Sequence, residues 1–324
     1  EGSITTGVNG TASGKYNTTT GLATFSGVIS SYSNATTAGT SLEKIGSGTQ
    51  ILTGANTYRG ITKVTKGILQ IGDGGSTGTL GTGAVIDNAS LVFNRSNSLT
   101  VANVISGTGT LTQEGSGTTI LTANNSYAGT TTISNGTLQV GSGGTTGTLG
   151  AGDVTLSNNA NLNYVLSATT SIANNITGFG NVSANITGAT SNLTVDRAIK
   201  LTDGTVNLVT DGNLQVKQAI STTNATSSAI FLEAGKITEA GISSGGDVTI
   251  TSPGSVTANN GLITFMTGSI SGSTGLGVSA GNNRYNSDEV TTNYTATLGS
   301  TGRYAVYREA PTLTATFNNA SKTY

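Results

Sequence analysis

The sequence predicts an all-β chain wound as a parallel β-solenoid, and three observations carry that expectation. A phrase is written twice: "GSGTQILTGANTYRGITKVTKGILQIGDGGSTGTLG" runs from Gly46 to Gly81, and "GSGTTILTANNSYAGTTTISNGTLQVGSGGTTGTLG" follows about 70 residues later, from Gly115 to Gly150. Duplication at a long fixed period marks a repeat architecture. Short runs of aliphatic and β-branched residues recur at roughly 8–12-residue intervals between Gly, Asn and Ser turn signals. The chain holds 48 Gly against 2 Pro, and no apolar run keeps a helical period with caps.

The elements follow in order. Strands are expected at Ile51–Thr53, Ile68–Ile71, Ala84–Ile86, Ser90–Phe93 and Leu99–Ala102. In "GTLQV", Leu138 and Val140 point to one face and Thr137 and Gln139 to the other; Leu69 and Ile71 repeat the pattern. Stacked turns would make these aliphatics a dry interior, with Thr outside and Gly at the corners. The match extends loosely: "LTVANVISGTGTL" at Leu99–Leu111 is echoed by "TSIANNITGFGNV" at Thr170–Val182, and "ATFSGVISS" resembles the end of an earlier copy. A unit of this length divides into three coils of roughly 23 residues, which would set Tyr58 and Tyr127 ~14 Å apart, each at a corner of its own coil. About a dozen coils give a rod roughly 55–65 Å long. A β-sandwich is the competing architecture, but it requires no long-period duplication and would carry more aromatic core.

Composition excludes several classes of function. Charged residues make up 9% and the net charge is −1, so nothing marks the chain for nucleic acid or an anionic membrane. There is no Cys for a disulfide or a thiolate ligand, and no His to serve as the commonest base and metal ligand. No apolar stretch reaches the ~20 residues of a membrane helix. No leader is visible at Glu1 and the chain stops abruptly in "NNASKTY", which reads as a piece of a longer protein.

The repeated phrase resembles the autotransporter-associated β-strand repeat of bacterial passenger domains. Gly48, Thr49, Leu52, Asn56, Tyr58, Gly60, Gly67 and Leu69 match its pattern, as do Gly117, Thr118, Leu121, Asn125, Tyr127, Gly129, Gly136 and Leu138; Ala123 replaces the Gly kept at Gly54. A stretch from about Ile199 to Gly268 resembles the coils of filamentous-haemagglutinin-type adhesins. The segment that follows is similar to the closing part of such solenoids. These resemblances imply a right-handed parallel β-helix exported across a Gram-negative outer membrane. The expected organisation is a solenoid over 1–268, with related units at about 46–114 and 115–185 and haemagglutinin-like coils at about 199–268. A C-terminal capping segment over 269–311 and the start of a truncated module over 312–324 complete it.

No residues stand out as catalytic, cofactor-binding or metal-binding. A glycosidase needs two carboxylates roughly 5–9.5 Å apart, and the best cluster, Asp196, Asp203 and Asp211, falls on ordinary turn sequences; Asp247 reads as a corner. A calcium site is disfavoured because Ser142 stands in the second copy where Asp73 stands in the first. Ser41 and Lys44 form a Ser-x-x-Lys match that reads as a turn into the next coil. Asn-x-Ser/Thr sequons at Asn34, Asn88, Asn135, Asn185 and Asn224 are expected from composition alone. Tyr285, Tyr294, Tyr304 and Tyr307, with Arg284, Arg303, Arg308 and Glu309, read as a seal on the solenoid's open end rather than a glycan patch. The expected function is an extracellular structural or adhesive rod of the outer cell surface, without cofactors. Its expected partners are copies of itself in fibres, glycans, and outer-membrane export machinery. The alternatives are a polysaccharide lyase or hydrolase on a β-helix, which two facing acids in one groove beside an Arg or Lys would favour, and a passive spacer.

Overall fold

The computed structural model describes residues 21–31, 39–188 and 190–312, together with the backbone of two short strands at Ile4–Thr5 and Ser13–Asn17. The truncated module expected over 312–324 lies, beyond Thr312, outside the described residues. Among the described residues every strand ladder is parallel, and the helical content is one 3₁₀ turn at Ala280–Asn282. The chain is a parallel β-solenoid.

Each turn passes three faces. The first face is an unbroken sheet of 11 strands from Leu22–Phe25 to Ser255–Ala258. The second is a sheet of 10 strands starting at Leu99–Val101. The third is split into a 5-stranded sheet ending at Ile105–Ser106 and a 4-stranded sheet starting at Thr170–Ile172. Turns are short at first, the register stepping from Thr49 to Ile68 in one place and from Thr137 to Asn161 in another. They lengthen towards the C-terminus, where Ala219 pairs with Ser255 and Leu262 with Gly302.

The inward columns are the ones the alternation predicted. On the first face Leu69, Leu91, Leu111, Thr131, Val154, Ile176, Ile199, Ile220 and Val256 stack in register. Leu69, Ile71, Leu138 and Val140 are all fully buried. Each such side chain contributes roughly 1.5–3 kcal/mol through burial, and the parallel ladder satisfies the backbone groups beside it.

The two sequence repeats lie on different faces. Thr49–Leu52 belongs to the first sheet, and three turns on in that sheet lies Thr110–Gln113. The second-copy counterpart of Thr49–Leu52 is Thr118–Leu121, which belongs to the second sheet. The unit therefore spans about three and one third turns, not three coils of 23 residues, because turns in this stretch are shorter than that average. Each copy is rotated by one face, so Tyr58 and Tyr127 do not share a corner. Both are fully buried.

Rotation leaves the local geometry intact. The first copy's Asn-Tyr loop sits on the second face just before that sheet begins; the second copy's loop fills the gap in the third face. In both, an Asn side chain spans three turns. Asn56 accepts from Ile29 N at 2.8 Å and donates to Thr79 O at 2.7 Å. Asn125 accepts from Ile105 N at 2.8 Å and donates to Thr148 O at 2.8 Å. The buried hydroxyl of Tyr58 meets Thr62 and that of Tyr127 meets Thr131, each at 2.7 Å. Asn103 closes the first clamp on Gly81 O and Gly83 O, and Asn174 closes the second on Gly150 O and Gly152 O. The echo between Leu99–Leu111 and Thr170–Val182 thus records the last residue of the clamp.

At the C-terminal end Gly302–Tyr307 lies between two strands that precede it in sequence, Leu262–Thr267 and Asn283–Arg284. The last strand is thereby paired on both sides.

The clamp makes Gly81 and Gly150 intolerant of a methyl group. A Cβ on Gly81 would stand 2.2 Å from Tyr58 O and 2.4 Å from its ring; on Gly150, 2.1 Å and 2.4 Å from the same atoms of Tyr127. Gly81→Ala and Gly150→Ala should each destabilise the fold by about 1–3 kcal/mol. Because the sites lie several turns apart, the double variant should show additive losses in urea unfolding.

Candidate functional site

The residues picked out from the sequence for acid chemistry do not converge. Asp196 pairs with Lys217 at 3.0 Å on the surface. Asp203 is an exposed turn residue with φ 62°. Asp211 is buried and accepts from Gly188 N at 2.6 Å, so it braces the neighbouring turn rather than facing solvent. Asp247 holds a corner, accepting from Ser269 N at 2.6 Å and from the Ser273 hydroxyl at 3.2 Å. Asp73 is exposed and accepts from Gly75 N at 3.2 Å. No three Asp or Glu side chains gather as a metal site among the described residues. Of the sequons, Asn88 and Asn135 are exposed. Asn224 is buried with its amide donating to Asp203 O at 2.8 Å, which denies that nitrogen to a sugar. Asn34 lies outside the described residues.

Ser41 and Lys44 require a correction: they lie in the strand Ser41–Ile45, not in a turn. Lys44 points into the rod and is fully buried. Its ammonium donates to Ile45 O at 2.7 Å, Gly46 O at 2.8 Å and Lys66 O at 3.1 Å. Burial pulls its pKa down, and with all three N–H groups engaged it is no general base for Ser41. The equivalent residue of the second copy, Gln113, does the same work, donating to Gly115 O at 2.7 Å. The signal was present in the sequence: Lys44 alternates with Leu42 and aligns with a residue that carries no charge.

Asp87 was missed altogether. It sits on the inward side of Val85–Asp87 with no exposed surface. One carboxylate oxygen accepts from Ala89 N at 3.0 Å and the other has no partner. Burial pushes the acid up to about 6.

The C-terminal aromatic and arginine residues bind one another and the backbone. Arg284 lies between the rings of Tyr294 and Tyr304, at 5.6 and 5.5 Å, and donates to the carbonyls of Ala296, Gly281, Asn283 and Thr297. Tyr285 stacks on Tyr307 at 5.4 Å. Arg303 donates to Leu276 O at 2.7 Å and to Val256 O, the latter on the outermost strand of the first sheet. Donors consumed in this way are not available to a glycan.

A cleft of about 410 Å³ opens beside this region, walled by Lys236–Ala240 and Asp288–Thr291. Beside it lies a buried acid that the sequence did not disclose: Glu233, only 3% exposed, stands 3.6 Å from the Arg308 guanidinium, and Glu289 and Lys236 line the cleft. Burial and the neighbouring Glu289 hold Glu233 well above the usual carboxylate range. This is the nearest approach to two facing acids beside an Arg.

The clamp and the ladder define a class of protein: a parallel β-solenoid whose turns are locked by a repeated Asn-Tyr-Gly unit. Residues 42–71 and 111–140 each match the family model of the Passenger-associated-transport-repeat; the chain carries two autotransporter-associated β-strand repeats, rotated by one face. A stretch of 79 residues, 24% of the chain, is 46% identical to the Adhesin BmaC autotransporter of Brucella suis biovar 1 (strain 1330) and spans 2% of that protein's length. No solved structure matches the chain.

Two outcomes follow. Lys44→Gln, which copies the second repeat, should hold stability within about 1 kcal/mol, whereas Lys44→Ala should cost about 1–3 kcal/mol by stranding buried carbonyls; urea midpoints separate the two. Asp87 ionises near 3.8 when unfolded and near 6 when folded, so its raised pKa removes stability as pH climbs through that window, by up to about 3 kcal/mol above it. In Asp87→Asn that loss between pH 4 and 7 should be smaller by this amount in thermal melts.

Proposed function

We propose that the chain is a section of a surface-exposed bacterial adhesin, a rigid rod that holds binding surfaces away from the cell. The observation that carries this is the unbroken 11-stranded first sheet over an aliphatic interior. Such a ladder resists bending, and it needs no cofactor. The similarity of a quarter of the chain to a protein named as an autotransporter adhesin supports the same reading. It also supports a place outside the cell, reached through outer-membrane export machinery.

The mode of action is contact, not turnover. The outward positions are mainly hydroxyl and amide side chains, as in the column Thr112, Thr132, Thr155 and Thr177. Weak contacts of this kind gain strength by multiplicity along a rod, which suits glycans or further copies of the chain. The C-terminal segment closes the rod: Arg303 occupies a carbonyl of the last strand of the first sheet, and the final strand of the second sheet is covered by a two-residue edge. Such devices blunt the sheet edges that would otherwise stack end to end.

Electron microscopy and a glycan array test the reading together. The expected outcome is short single rods that bind a class of glycan when displayed in many copies and cleave none. Long fibres would assign assembly as the principal role. Rods that ignore every glycan and cell surface would leave only the spacer function, and the adhesive reading would fail.

A further inference from the structure

The C-terminal stretch of the third face carries two polar columns side by side. Its outward column runs Ser171, Thr194, Gln215, Thr249 and Thr274 in register. A second series stands at the corner that leads into these strands: Thr169, Asn192, Asn213 and Asp247, each two residues before an outward one. Every corner side chain accepts from the backbone of the following turn. Asn192 N donates to the Thr169 hydroxyl at 3.1 Å, Asn213 N to Asn192 Oδ1 at 2.7 Å, Asp247 N to Asn213 Oδ1 at 2.9 Å and Ser269 N to Asp247 Oδ1 at 2.6 Å. The backbone carbonyls of Asn192, Asn213 and Asp247 are tied to the preceding turn, accepting from Thr170 N, Leu193 N and Leu214 N.

This ladder fixes which way each amide points. Only an oxygen can meet a backbone N–H, so Oδ1 faces the ladder and Nδ2 is turned out. Among the described residues the Nδ2 groups of Asn192 and Asn213 have no hydrogen-bond partner, and neither have the side chains of Thr194, Gln215 and Thr249. None of these groups is sealed from solvent. All of them line one groove of about 450 Å³ that runs from Thr169 to Gly272. The C-terminal arginines spend their donors on carbonyls of the chain; here donors are held in place and left free. Among the described residues the lining holds one charged group, the Asp247 carboxylate, and no Lys or Arg.

We propose that this groove is the glycan-contact site of the rod and takes a neutral polysaccharide chain laid along the axis. The inference rests on the adhesive reading above and adds to it the surface and the class of sugar. A sugar hydroxyl both donates and accepts, and the groove serves both: amide N–H groups of Asn192, Asn213 and Gln215, hydroxyls of Thr194 and Thr249, and carboxylate oxygen of Asp247. At ~4.8 Å per turn the rungs repeat on the scale of one sugar unit, so an extended chain meets a similar set of partners at each step. Side chains already locked by their own hydrogen bonds lose little freedom on binding. A chain of acidic sugars is selected against, because Asp247 repels its carboxylates and no cation in the lining offsets this.

Titrating the isotope-labelled chain with neutral hexasaccharides of glucose, mannose and galactose, and with hexagalacturonate, tests the assignment by NMR. The side-chain amide resonances of Asn192, Asn213 and Gln215 should shift with at least one neutral hexasaccharide and stay fixed with hexagalacturonate. Asn192→Asp and Asn213→Asp keep the oxygen that the ladder needs, and Asp247 already fills the next rung with an acid, so both variants are expected to fold. Each removes a free donor and should weaken binding of that sugar roughly fivefold, the worth of one lost hydrogen bond. Asn163→Asp makes the same exchange on the second sheet and should bind as the parent does. Full-strength binding by both groove variants would overturn the assignment and leave the adhesive reading standing. So would a parent that binds displayed glycans or cells without any shift at these three amides, or one that prefers hexagalacturonate. A parent that binds no sugar, free or displayed, and no cell surface would remove both.

Discussion

Register between successive turns is the constraint on which the rest of the molecule rests. In a parallel ladder each residue meets one partner a turn later, and strand side chains alternate strictly between interior and solvent. A slip of one residue would turn Leu69, Leu91 and Leu111 outwards together. The column therefore has to stay aliphatic, or any polar member has to bring its own partner. Thr131 enters the first-face column because the Tyr127 hydroxyl needs it, and Thr62 plays that part for Tyr58 on another face. Lys44 and Gln113 enter because turn carbonyls point inwards beside them. Buried polarity is repeated in this rod along with the backbone geometry that requires it.

The strands placed from the sequence and the aliphatic core were legible in it, and the reason is the same alternation. Ile68–Ile71 and Ser90–Phe93 were placed to the residue, and the four aliphatics used to define the interior have no exposed surface. The rotation of the repeat was not legible. A sequence period reports where local geometry recurs along the chain; it carries no information about the angle around the axis. A recurrence after three turns and one after three and a third look identical on paper. Three coils per unit were consequently expected to set Tyr58 and Tyr127 ~14 Å apart, each at a corner of its own coil, although the two lie on different faces.

The acids were misread for a different reason. Asp203 and Asp211 share an Asp-Gly signature, yet one is an exposed left-handed turn residue and the other is buried against Gly188. Glu233 has the outward parity of a solvated residue, alternating with buried Ile230, Leu232 and Ala234. Beside it stands the buried guanidinium of Arg308, 3.6 Å away and more than 70 residues further along the chain. Alternation within a strand cannot reveal a neighbour that arrives from elsewhere. Low overall charge makes such exceptions conspicuous once the fold is known.

The rotation also explains how the rod tolerates its own repeats. Each copy inserts an Asn-Tyr loop where a regular strand would stand: the first copy's loop precedes the start of the second sheet, and the second copy's lies in the gap that splits the third face. A unit of three whole turns would put every interruption on the same face, leaving a seam of weak pairing along the rod. With one third of a turn added, the first copy falls on the second face and the second copy on the third, while the first face runs on through 11 strands. At ~4.8 Å per turn the copies are also separated by roughly 16 Å along the axis. The clamp of Asn103 and Asn174 on the neighbouring glycine carbonyls then bridges each gap locally. Staggering distributes the interruptions around the axis, and the exposed loops at Asp73 and Ser142 consequently leave the rod in different directions. A third copy at the same spacing would reach the first face, so a surface built from these units is presented all round the rod rather than along one side.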